Sequence, residues 1–144
     1  MLTKENNELL NEIYHAVKMG QHAINAVLPK VENPKLREKI ESQGDSYGRI
    51  AAKSRRMLFE HDLEPQKETL MEKMGIWSSV QANTVIDKSS KHIADMMIQG
   101  SAMGIEDIGK KLSDLQDADA GAKELAEEYI QCEKKHMESM KNYL

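Results

Sequence analysis

The sequence predicts an all-α protein built as a four-helix bundle. Three observations carry this. Apolar residues recur at about 100° per residue through four long stretches, each forming a single stripe. Ala, Leu, Ile, Glu, Lys and Met dominate the 144 residues, and these are good helix formers. The 3 prolines fall where helices end or open, not inside them.

The first helix is expected over residues 4–28, with Leu9, Ile13, Ala16, Val17, Gly20, Ala23, Ile24 and Val27 on its stripe. Pro29 ends it. Asn33-Pro34 then reads as a cap followed by Pro at the first helical position. The second helix is expected over residues 33–60, burying Leu36, Ile40, Tyr47, Ile50, Ala51, Met57 and Leu58. Gln43 and Ser54 lie on that same face and need hydrogen-bond partners. Gly44 and Gly48 weaken this helix and mark a place of close packing.

Pro65 opens a brief helix over residues 66–74, which stops at Gly75. A third long helix is expected over residues 80–112, starting between residues 76 and 83. Its stripe holds Ala82, Ile86, Ile93, Ala94, Met97, Gly104 and Ile108, with Asn83, Ser90 and Ser101 among them. Gly100, Ser101 and Gly104 allow another helix to approach closely. A polar turn follows, and Asp117 or Asp119 caps a fourth helix over residues 119–143.

The 1–2 and 3–4 connections are short, which makes antiparallel hairpins. The 2–3 connection is longer and carries its own small helix. One long crossover among four long helices is the ferritin-like arrangement. The chain is expected to form a single domain over residues 1–144.

Composition narrows the function. Net charge is −4, with 20 Lys and Arg against 24 Asp and Glu, which gives no basic footprint for nucleic acid. No apolar run approaches a membrane span and no leader opens the chain, so a cytoplasmic protein is expected. Cys132 is the only cysteine, so no internal disulfide forms, and an inert thiol is expected.

The chemically pointed feature is in the last helix. Glu133 and His136 fall inside the apolar stripe of Ala122, Leu125, Ala126, Tyr129, Ile130, Met137 and Met140. Spaced i, i+3, they share a face. A carboxylate and an imidazole aimed into a core must be paired, hydrogen-bonded or metal-bound. An internal hydrogen-bonded pair is the expectation, with Gln43, Tyr47 and Glu12 as neighbours and a protonated His136 as donor. The alternative is a metal site at Glu133, His136 and Glu12, taking iron, manganese or zinc; otherwise no cofactor is expected.

A di-iron centre of ferritin type needs two Glu-x-x-His positions and two further Glu. Glu133-Lys-Lys-His136 fits one, and Glu12-Ile-Tyr-His15 matches the pattern. His15 is expected to face water, however, and a chain with this much Glu yields such matches by chance. His92 and Asp95 are also placed outward. Met96, Met97 and Met103 read as adaptable core packing, and Trp77 as an anchor for the short helix.

The chain also resembles bacterial ferritin-like four-helix-bundle families without an assigned activity, including those related to the spore coat protein F domain. Three stretches carry the resemblance: residues 9–58 with Glu-Asn-Pro-Lys-Leu-Arg opening helix two, the crossover at residues 65–77, and Ile-Ala-Asp-Met-Met-Ile-Gln-Gly-Ser-Ala-Met-Gly at residues 93–104. The resemblance implies a ferritin-like fold and, for coat-related members, a structural or spore-associated role. The expected function is therefore a non-enzymatic bundle acting through protein association, as a dimer, in a spore- or stress-related setting. The alternative is a metal-binding protein centred on Glu133 and His136. Neither nucleic acid nor membrane is expected as a partner.

Overall fold

The computed structural model describes residues 4–60 and 87–144. They form four α-helices and, among the described residues, no strand. Helix α1 is Lys4–Val27, α2 is Pro34–Phe59, α3 is Ser90–Asp114 and α4 is Ala120–Lys141. The expected short helix over residues 66–74, with Pro65 and Trp77, lies outside the described residues.

Local chemistry sets the helix ends. Pro29 falls inside a 3-10 turn, Leu28–Lys30, that closes α1. The Asn33 side chain accepts from the backbone N–H of Lys35 at 2.9 Å and of Leu36 at 3.2 Å, with Pro34 in the first turn. Of the two candidate caps for α4, Asp119 is the one used. It accepts from Ala122 N–H at 2.9 Å.

Helix α3 begins later than expected. Residues 87–89 are not helical. Ser89 N–H donates to Asp87 Oδ1 at 2.8 Å, and the Ser89 hydroxyl accepts from His92 N–H at 3.2 Å. This polar pair supplies its own backbone partners and starts the helix at Ser90, which the apolar stripe alone does not reveal.

Helix α1 packs on α2 and α3 on α4; α4 also meets α2 and α1, and α1 meets α3. The core is aliphatic. Leu9, Ile13 and Val17 meet Leu36, Ile40 and Leu58, together with Ile93, Ile108, Ala126 and Met140. Each large aliphatic side chain buried this completely contributes about 1.5–3 kcal/mol. Among the described residues no helix is long and apolar enough to cross a membrane.

One buried polar residue had no signal in the sequence. Asn6 is buried, and its side chain exchanges hydrogen bonds with Asp119: Nδ2 donates to Asp119 Oδ2, and Asp119 N–H donates to Asn6 Oδ1. The start of α1 thus holds the turn between α3 and α4. Lys53 and Glu128 link α2 to α4 at 2.7 Å, and Lys111 links α3 to Glu8 of α1 at 3.0 Å. These pairs are exposed, and each is worth about 0–1 kcal/mol.

Candidate functional site

The middle of the bundle is polar. Glu133 on α4 and Gln43 on α2 are each 1% exposed, and Ser101 on α3 is buried beside them. Gln43 Nε2 donates to the Tyr47 hydroxyl at 2.7 Å and to Ser101 Oγ at 3.4 Å. The first contact follows from periodicity, since Gln43 and Tyr47 sit one turn apart on the buried face of α2; the second joins α2 to α3.

Two glycines make room for the aromatic side chains here. Tyr47 lies against Gly20 of α1, where an added Cβ would meet its Cε2 at 2.5 Å. Tyr129 of α4 lies against Gly104 of α3, where an added Cβ would meet its Cζ at 3.2 Å and Glu133 Oε2 at 3.6 Å. The close approach expected at Gly104 is therefore present, but Gly100 has nothing within 4 Å of such an atom. Gly44 and Gly48 make only contacts of 3.4–3.5 Å and longer, so close packing at α2 is set from Gly20 instead.

Burial raises the Glu133 carboxyl above the ordinary range, and hydrogen bonding from Tyr47, Ser101 and Gln43 offsets part of that. Burial and the neighbouring Glu133 raise both the Tyr47 and Tyr129 phenols, so each stays an O–H donor. Even so, Glu133 Oε1 and Gln43 Oε1 are buried without a hydrogen-bond partner among the described residues.

His136 is buried, as expected, but it does not pair with Glu133. Its ring meets Tyr47 edge-on, with centroids 6.2 Å apart and planes at 67°. Burial, followed by the charge of Lys135, pulls its pKa down to about 4. The imidazole is neutral near pH 7 and is no cationic donor to the carboxyl. Its Nε2 is also buried without a partner. The expected protonated donor is overturned because burial strips the hydration that an imidazolium needs.

Glu12 stays at the edge of its stripe, 3.8 Å from Lys111 Nζ. Among the described residues no group of three or more His, Cys, Asp or Glu is placed to hold a metal ion. Glu133 is ringed by neutral hydroxyl and amide groups, so these donors do not fit a ferritin-type di-iron centre.

A cavity of about 630 Å³ opens beside this polar cluster, between α1 and α3. Glu133, Gln43, Tyr47, Ser101 and Tyr129 line its inner end. Met19, Met96, Met97 and Met103 form an apolar wall, and Met103 is 65% exposed. Met97 is buried in the core, as expected, and Met96 packs against it; with the exposed Met103 they also line this opening. His15, expected to face water, is half-buried in this wall, and His92 and Asp95 line it as well. The wheel placed these side chains correctly off the core stripe. It could not show that α1 and α3 stand apart there.

Comparison with family models, curated proteins and solved structures finds no match for this chain.

Proposed function

We propose that this protein is a non-enzymatic helical bundle, ferritin-like and antiparallel, that binds a small molecule in the cavity between α1 and α3. One observation carries the reading. Two completely buried acceptors, Glu133 Oε1 and Gln43 Oε1, lack partners among the described residues, and both residues line a cavity of about 630 Å³. An unmet buried polar atom costs about 1–3 kcal/mol, and folded proteins carry few of them. An apolar wall ending in a few convergent polar groups, in a volume of this size, is the usual form of a small-molecule site.

Ala16 lines the cavity wall, so Ala16→Phe fills part of the space. In a thermal-shift screen of small amphipathic compounds, hits on the wild type should disappear in Ala16→Phe while the unliganded variant still melts cooperatively. A screen without hits on the wild type removes the reading. Association between copies, in the cytoplasm or a spore, belongs to the same proposal only through the family resemblance. Sedimentation as a clean monomer at high concentration would remove the association.

A further inference from the structure

We propose that the ligand of this cavity is a primary organic ammonium ion carrying a compact apolar body. This rests on the reading of the cavity as a binding site and names what enters it. The first argument is hydrogen-bonding capacity. The two unpartnered groups at the inner end, Glu133 Oε1 and Gln43 Oε1, are both acceptors. Both residues line the cavity, and the last side-chain bond of each is a soft torsion, so a small turn aims these oxygens at a ligand. A primary ammonium has three N–H donors and no acceptor, so it can satisfy both oxygens and leave one donor for a neighbouring hydroxyl.

The second argument is charge. Among the described residues the lining holds the carboxylates Glu12, Asp95, Asp107 and Glu133, two imidazoles, and no Lys or Arg. Lys111 stands against Glu8 and Glu12, and among the described residues no ion pair reaches Asp95 or Asp107. A cleft with apolar walls and one sign of charge concentrates ions of the opposite sign.

The third argument is the wall. Met19, Met96, Met97 and Met103 are flexible and polarisable, and adapt to an apolar body of no fixed outline. The same ammonium resolves the charge problem at Glu133. Burial disfavours its ionised form, and among the described residues no Lys or Arg lines the cavity beside it. A bound cation supplies the missing counter-charge.

The test uses three probes of similar shape on the full chain at pH 7: 2-phenylethylamine, 2-phenylethanol and 3-phenylpropionate, with binding measured by calorimetry. The amine should bind at least tenfold more tightly than the alcohol, and the carboxylate should not bind. Glu133→Gln, which keeps size and removes charge, should lower amine affinity at least tenfold and alcohol affinity no more than about twofold, so that the preference for the amine shrinks. Asp95→Asn with Asp107→Asn, at the rim, should weaken the amine a few-fold and make its affinity less sensitive to salt. Equal binding of alcohol and amine, or a preference for the carboxylate, overturns the ammonium assignment and leaves the binding cavity standing. If none of the three binds, both fall.

Discussion

Tyr47 stands over Gly20 so closely that no side chain fits beneath it. An added Cβ at residue 20 would lie 2.5 Å from Tyr47 Cε2 and 2.9 Å from Cδ2. This contact joins α1 to α2 and fixes the ring that carries one hydroxyl of the polar cluster. It also holds the ring face against His136 of α4.

Glycine substitutions should therefore split by surroundings. Gly20→Ala and Gly104→Ala should each destabilise the fold by about 1–3 kcal/mol, because a buried tyrosine must move. Gly109→Ala meets nothing within 4 Å and should stabilise it by about 0.5–1 kcal/mol through helix propensity. Urea unfolding of the three variants reads this directly. A stable Gly20→Ala protein contradicts the packing described.

His136 should make the fold acid-sensitive. Its pKa falls from 6.5 to about 4 on folding, so it supports the fold fully above pH 6.5 and withdraws that support as pH drops toward 4. The loss should reach about 2–3 kcal/mol. Melting curves from pH 7.5 to 4 should fall more steeply for wild type than for His136→Gln. Parallel curves for the two proteins rule out a neutral buried imidazole.

Glu133 should act in the opposite sense. Its folded pKa lies above the ordinary 4.5, so its contribution is most favourable below pH 4.5 and is lost as pH rises through the folded value. Glu133→Gln removes that loss. The variant should match wild type near pH 4 and melt higher than wild type at pH 8. A variant that melts lower at pH 8 shows instead that the carboxylate is held by a cation.

Asn6 should matter more than an ordinary helix-start residue. Asn6→Ala strips both of its hydrogen bonds to Asp119, the cap of α4. A loss of about 1–3 kcal/mol is expected, with early hydrogen exchange at Ala122 N–H. Exchange no faster than in wild type at that amide shows the cap to be independent of α1.

The sequence by itself determined the four helices, most of their ends and most of the core. Local rules govern these features: a stripe at 3.6 residues per turn, Pro34 behind Asn33, and Asp119 ahead of Ala122. It also placed Glu133, His136, Gln43 and Ser101 inward, because burial follows helical phase. Helical phase is a property of one helix, however, and partnership is a property of two. Gln43 and Tyr47 are the neighbours of Glu133 that the stripes predicted, but only the tertiary structure added Ser101, left Glu12 beside Lys111, and set His136 against Tyr47 as a neutral ring. Only the spacing between α1 and α3 set Met96 and Met97, expected as packing residues, and His15, expected to face water, along one cavity wall. Asn6 gave no warning for the same reason, since its partner lies 113 residues away and no local pattern links them.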